Sequence, residues 1–323
     1  MLLPLPILFS VAACFGEGVL GKIIWDGRAP LSFSALQLDA SADPYLTAVK
    51  GSKAASLYTH LMGNDVTATP LWLDRIHPDR PFPAVATEQT LRVFIGNTSI
   101  FVPGQGTGTP QTGFRRTELI AQRNGSASLL KPDICSGKKA FHFSLLQETM
   151  KPLDLLHEYQ VVFVEPGDGS HVFGVQLGSP FTNPTGPLPS KDAGHIKVLA
   201  HDLRVLYKTP FRDDTWHNFA VVVDWDQSTL QVFYSRNEDE LRSVTKVVKN
   251  LSVPSGEKEM GDFHFGVLKL PLVNANDPVD IRGDVVHHGI QEGTVEGLMF
   301  SGVFVEDLKN GLSVGNKKVI HVW

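Results

Sequence analysis

From about residue 90 onward the chain repeats one motif: a short run of alternating or β-branched apolar residues, closed by Gly, Pro, Asn or Asp. That rhythm admits few folds. Runs at 90–102, 112–122, 139–147, 158–165, 171–178, 195–201, 217–224, 229–235, 262–270 and 296–305 read as strands. The turns between them carry their own chemistry, as in Glu165-Pro-Gly-Asp-Gly-Ser and Asp224-Trp-Asp-Gln-Ser, so neighbours in sequence should often pair. One segment, Tyr45 to Met62, has a helical pattern, with Leu46, Val49, Ala54, Leu57 and Leu61 roughly periodic. Many short strands with almost no helix must bury their apolar faces against each other. The fold class is therefore all-β: a β-jelly-roll sandwich of two antiparallel sheets with few short helices.

The 323 residues, 42% of them hydrophobic and 19 of them Phe, suffice for a sizeable core. The Pro- and Gly-rich stretches Pro103 to Gly113 and Ser179 to Gly194 are flanked directly by strand patterning, so they read as loops framing a cleft. Without internal repeats, 22–323 is expected to be a single β-jelly-roll domain. Residues 1–21, apolar from Leu2 to Ala13 except Ser10 and then small at Gly16, Gly18 and Gly21, have the order of a secretory signal peptide. A secreted, extracellular protein is expected, and no later run is long enough to span a membrane. Removing the leader takes Cys14 and leaves Cys135 alone, so packing and not a disulfide must stabilise the mature chain. Sequons at Asn97, Asn124 and Asn250 are compatible with a glycoprotein, whereas Asn183 precedes Pro. A net charge of -5 offers no basic face for nucleic acid.

Strand alternation then sorts the polar residues. Arg116, Glu118 and Gln122 share one face of 112–122. In the next informative run Glu158 and Gln160 oppose Tyr159, Val161 and Phe163, which read as core; Gln176 opposes Val175 and Leu177, and His195 and Lys197 oppose Ile196 and Val198. A solvated outer sheet alternates in the same way. However, Arg, Glu, Gln, His and Lys on successive strands are groups that grip sugar hydroxyls and act on an acetal. Hydrolysis of a glycoside needs a proton donor and a second carboxylate, and Glu118 and Glu158 are the candidates. Arg116 is placed to hold one carboxylate ionised.

Other features are weaker. Gly104-Gln-Gly-Thr-Gly reads as a flexible loop and not a phosphate cradle. His264, His287 and His288 make no recognisable metal set with Cys135. No cofactor is expected; Asp277, Asp280 and Asp284 are weak candidates for a structural calcium, with an acidic turn the plainer reading. Of Trp25, Trp72, Trp216 and Trp225, Trp72 beside Pro70 and Asp74 is the expected stacking platform for a sugar ring.

The motifs Lys22-Ile-Ile-Trp-Asp-Gly-Arg, Phe114-Arg-Arg-Thr-Glu-Leu, His157-Glu-Tyr-Gln and Thr215-Trp-His-Asn-Phe together resemble glycoside hydrolase family 131 of fungi, over most of the mature chain. The resemblance implies a β-jelly roll with an open cleft, broad action on β-1,3-, β-1,4- and sometimes β-1,6-glucans, and inversion at the anomeric carbon by two glutamates. Those glutamates lie in motifs that here read Arg115-Arg-Thr-Glu118-Leu and His157-Glu158-Tyr, with Glu118 as acid and Glu158 as base by the same likeness. Arg116, Gln176, His195 and Lys197 are the expected subsite residues. The expected partner is a β-glucan or cello-oligosaccharide bound by a monomer. No cysteine follows Cys135, so no cysteine-rich cellulose-binding module is expected.

Two other readings stay open at this level. A polysaccharide lyase could use Arg116, Lys197 and His195 on a uronate glycan, and a non-catalytic glucan-binding protein would keep the polar cleft without turnover.

Overall fold

A computed structural model describes residues 21–73, 87–181, 187–251 and 260–322. In chain order its strands are β1 (Lys22–Asp26), β2 (Tyr45–Leu46), β3 (Thr59–Leu61), β4 (Leu91–Ile95), β5 (Arg115–Ala121), β6 (Lys138–Gln147), β7 (Glu158–Glu165), β8 (Phe173–Gly178) and β9 (His195–Ala200). There follow β10 (Val205–Pro210), β11 (His217–Asp224), β12 (Thr229–Arg236), β13 (Arg242–Ser243), β14 (Val248–Lys249), β15 (Asp262–Lys269), β16 (Glu296–Asp307), β17 (Leu312–Gly315) and β18 (Lys318–Ile320). A nine-stranded sheet runs β13-β12-β11-β6-β16-β4-β3, with β1 added on β16 and β14 on β12. A seven-stranded sheet runs β10-β9-β8-β7-β15-β5-β2, and β17 and β18 form a separate hairpin. The strand pairings of both sheets are antiparallel, and the helices are short, as expected of a jelly-roll sandwich.

The main core lies between the two sheets because both inward faces carry β-branched and aromatic side chains at alternate positions. Phe141 of β6 meets Phe263 of β15 at 5.0 Å and Phe173 of β8 at 5.5 Å, and Phe300 of β16 meets Phe265 of β15 at 5.6 Å. These rings stitch sheet to sheet, each contributing roughly 1.5–3 kcal/mol by burial. A second, smaller cluster covers the opposite face of the nine-stranded sheet, where Leu71, Leu308, Leu312 and Val314 pack on Ala220, Val222 and Phe233.

Four expectations are corrected here. Tyr45 to Met62 is not a helix: Tyr45 and Leu46 pair with Ala121 and Ile120, Ala55–Leu57 is a single 3-10 turn, and Thr59–Leu61 is a strand. Gly51 packs against the Thr98 carbonyl where any Cβ would collide at 1.8 Å, and Leu57 is exposed, so the apparent period is not one buried stripe. Phe163 is not on the core side of β7. A register shift between Gln160 and Val162 reverses the alternation, so Phe163 and Glu165 follow Glu158 and Gln160 onto the outward face. Trp72 belongs to the far side of the molecule, as described below. Asn250 is buried, its amide donating to the Val172 carbonyl and its oxygen accepting from the His201 N–H, which leaves no room for a glycan.

Asn97 and Asn124 are exposed. The expected leader falls on residues outside those described, except Gly21, whose N–H donates to Ser313 Oγ in a buried contact. Asn183 and Asp74 also lie outside the described residues.

Candidate active site

The outward face of the seven-stranded sheet gathers the polar residues. Arg116 and Glu118 come from β5, His264 from β15, Glu158, Gln160, Phe163 and Glu165 from β7, Gln176 from β8, and His195 and Lys197 from β9. Inward neighbours at alternate positions, such as Leu119, Val161, Val175 and Ile196, fix these side chains outward by sitting in the core. Residue 266 must be glycine for β5 and β15 to close here: a Cβ would stand 2.2 Å from the Thr117 carbonyl oxygen and 2.7 Å from Glu118 Cα.

Glu118 is the most constrained side chain on this face, only 1% exposed. Arg116 grips it with two parallel bonds, Nε to Oε1 at 2.7 Å and Nη2 to Oε2 at 2.8 Å. His264 Nδ1 donates to Oε2 at 2.7 Å. Burial alone would push this carboxyl up, but the Arg116 guanidinium and the His264 bond outweigh it and hold Glu118 down at about 2. It is an anion at any working pH. Arg116 is itself braced by Gln111 Oε1 at 3.2 Å and lies over the Phe101 ring at 5.7 Å, so the loop Pro103 to Gly113 does border the site.

His264 was not singled out for this face by sequence, although alternation with Phe263 and Phe265 places it there. Its ring stacks on Phe163 at 4.8 Å, and Phe163 stacks on His171 at 4.3 Å. Nε2 of His264 lies 3.8 Å from Glu165 Oε2. Burial raises the Glu165 carboxyl, with His264 opposing and Glu118 reinforcing the rise. Burial also drives His171 down to about 4, reinforced by His264.

Glu158 is 9% exposed and has a different kind of cage. Gln160 Nε2 donates to Oε1 at 3.0 Å, and the Phe181 backbone N–H donates to Oε2 at 2.5 Å. Both donors are neutral. The second loop therefore also reaches the site through Phe181. Gly178, opposite Glu158, has φ +72, and a Cβ there would lie 1.9 Å from the His157 carbonyl oxygen, so the chain can turn past Glu158 only with glycine.

Of the other expected subsite residues, Gln176 stands directly across from Gln160 and next to Lys197. Lys197 is sealed, its Nζ donating to the Gly178 carbonyl at 2.9 Å and lying 3.3 Å from Asp192. His195 opens β9 half-buried, four strand positions before Leu199. Trp72 does not join them. It packs edge-on against His142 at 5.3 Å and Phe304 at 5.0 Å on the outer face of the nine-stranded sheet, with the core between it and Glu118. Trp25 and Trp216 are buried, and the Trp216 and Trp225 indoles donate to the Thr67 and Ile134 carbonyls, so these rings are structural.

Among the described residues, Asp154, His157 and Glu292 are the group whose metal-capable atoms come together, within 4.8 Å; Asp277, Asp280 and Asp284 are not such a group. Their charges are already answered: His157 Nδ1 bonds the Leu270 carbonyl, Nε2 faces Glu292 at 2.9 Å, and Lys269 Nζ bridges Glu292 at 2.9 Å and Glu296 at 2.7 Å. Tyr159 completes the cluster through Glu296.

A two-sheet sandwich that presents two differently caged carboxylates on one outward face has the layout of a β-sandwich glycoside hydrolase. The chain belongs to glycoside hydrolase family 131: the family model for the glycoside hydrolase 131 catalytic N-terminal domain matches residues 23–311. Among solved structures it is similar to a glycoside hydrolase family 131 catalytic domain from Coprinopsis cinerea, with 23% identity, TM-score 0.63 and coverage of 92% of this chain and 99% of that one. It is also similar to a GH131 β-glucanase catalytic domain from Podospora anserina, with 22% identity, TM-score 0.65 and coverage of 92% and 100%. Comparison with curated proteins gives no match.

Proposed function

We propose that this glycoside hydrolase is a secreted, inverting β-glucanase acting on β-1,3- and β-1,4-linked glucan, with Glu118 and Glu158 as its catalytic pair. The observation that carries the reading is the asymmetry of the two cages. Glu118, held at about 2 by Arg116 and His264 after burial is overcome, is the permanent anion. It suits the base that takes a proton from the attacking water. Glu158, contacted by the neutral donors Gln160 and Phe181, is then the acid. This reverses the roles that family likeness alone implies.

In one turnover Glu158 gives its proton to the glycosidic oxygen as the bond from that oxygen to the anomeric carbon breaks. Water attacks from the opposite side and Glu118 takes the water's proton. Inversion needs carboxyl groups roughly 6.5–9.5 Å apart. Glu118 lies opposite Gly266, two strands over from Glu158 and offset by four residues, which places their Cα atoms about 16 Å apart by strand geometry. Both side chains lean into that gap, Glu158 towards Gln160 and Glu118 towards Arg116.

The same electrostatics argue against a lyase. A uronate carboxylate needs free cations, yet Arg116 is committed to Glu118, Lys197 to Asp192, and Lys269 to Glu292 and Glu296. The description of the Podospora anserina relative as a β-glucanase supports glucan as substrate. The test is incubation with laminarin, mixed-linkage β-glucan and swollen cellulose, following the first-formed anomer by proton NMR. α-Anomeric saturated products support the reading. β-Anomeric products, unsaturated products from a uronate polymer, or binding without turnover would replace it.

A further inference from the structure

The acid in an inverting reaction alternates between a carboxylic acid and a carboxylate in every cycle, so its hydrogen-bonding partners must suit both forms. The two oxygens of Glu158 differ in this respect. Oε2 accepts from the Phe181 backbone N–H at 2.5 Å. A backbone N–H can only donate, so Oε2 must remain an acceptor in both forms. Oε1 faces the Gln160 side chain, with Nε2 at 3.0 Å. A primary amide has a donor at one end and an acceptor at the other, and half a turn exchanges them.

We propose that Gln160 is the positioning residue of Glu158, and that Glu158 Oε1 is the oxygen that exchanges the catalytic proton. The proposal rests on the reading of Glu158 as the acid. When Oε1 carries the proton, the Gln160 carbonyl accepts from it. As the Oε1–H bond breaks and the proton passes to the glycosidic oxygen, the electron pair stays on Oε1 and the amide turns to donate Nε2–H. Reprotonation from water reverses the turn.

The location fits this role. Gln160 is two residues beyond Glu158 on the same face, and it is the last regular position before the strand shifts register at Val162. Gln176, another amide, stands directly across from it on β8, and Leu268 flanks it on β15. Apart from His195 on β9, whose Nδ1 has no hydrogen-bond partner, the charged groups named here on the surrounding elements are engaged elsewhere. His157, preceding Glu158, bonds Glu292; Lys269 at the end of β15 bonds Glu292 and Glu296; Lys197 on β9 bonds Gly178 and Asp192; and Arg116 on β5 bonds Glu118. The hydrogen bond made to Oε1 is the one from the Gln160 amide.

The test compares the full-length wild type with Gln160→Met, Gln160→Glu and Glu158→Gln, each checked by circular dichroism and thermal unfolding, as kcat and KM on a soluble β-glucan from pH 3 to 8. Gln160→Met, of similar length but without donor or acceptor, is expected to lose about tenfold in kcat with KM within about twofold, the size of one lost hydrogen bond to the reacting group. Gln160→Glu can both donate and accept only while protonated. Its activity is expected to approach wild type at the acid end and to collapse above about pH 6, where two carboxylates would face each other. A folded Gln160→Met with wild-type kcat, or a Gln160→Glu profile parallel to that of Gln160→Met, overturns the proposal; so does a loss confined to KM, which would make Gln160 a sugar contact. The parent reading is checked separately. If Glu158→Gln keeps the wild-type rate, Glu158 is not the acid and both readings fall; if it is inactive while Gln160→Met is not impaired, only the role of Gln160 is wrong.

Discussion

Glu88 offers a direct test of the electrostatics outside the site. It is buried beside β16, where the Gly302 N–H donates to its Oε2 at 2.9 Å. Burial dominates and raises this carboxyl from 4.5 to about 7, with Gly302, Arg28 and Ser301 only partly opposing it and Asp26 adding to the rise. Arg28 gives little relief because Asp26 already holds it, Nε at 2.8 Å and Nη2 at 2.6 Å. The sign follows from linkage. The folded protein keeps the proton to higher pH than the unfolded chain does, so the stabilisation is complete below about pH 4.5 and is lost as pH rises to about 7. At about 1.4 kcal/mol per pH unit the loss is about 3 kcal/mol. Glu88→Gln, which is neutral throughout and can still accept from Gly302, should match wild type near pH 4. At pH 8 it should be more stable by up to about 3 kcal/mol, or on the order of 6 °C in melting temperature for a chain of this size. The assay is chemical or thermal unfolding of both proteins at intervals across that range. Parallel stability curves would refute the argument, because they would mean that Glu88 ionises without cost in the folded state.

Removing the Arg116 guanidinium should be severe: Arg116→Ala leaves the buried Glu118 with His264 as its remaining partner, costing about 3 kcal/mol in unfolding experiments, and the acid limb of any residual activity should move to higher pH as Glu118 loses the larger of the partners that lower it. Trp72→Ala should cost about 3 kcal/mol in stability through the lost packing on His142 and Phe304, while KM for soluble glucan stays unchanged; a raised KM at full stability would return Trp72 to the substrate. Expression in a host that glycosylates should give glycopeptides only at the exposed Asn97 and Asn124, and peptide mass spectrometry should find Asn250 bare because both ends of its amide are bonded inside the fold.

What the sequence revealed depended on whether one local rule held. Strands β7 and β11 are readable to their ends because Val- and Phe-rich runs stop at turn residues, and Arg116, Glu118, Glu158, Gln176 and Lys197 share a face because alternation holds on each strand up to that residue. Alternation alone puts Phe163 in the core, but a bulge adds a residue to β7, and a shift of one reverses every side chain beyond it. Tyr45 to Met62 imitates a helix because its apolar residues pack in separate places at roughly helical intervals. Residue type alone makes Trp72 a sugar platform, but nothing local says which of two sheets a loop will cover. His264 obeyed the alternation rule; its significance comes from Glu118 on the neighbouring strand, 146 positions away in the chain.

The most direct measurement of the central claim is the rate of glucan hydrolysis by wild type, Glu118→Gln and Glu158→Gln, all shown to be folded. The account predicts that wild type releases saturated sugars and that each substitution costs at least about a hundredfold in kcat, the scale of a lost general acid or base. A folded variant of either glutamate with near wild-type kcat would contradict it.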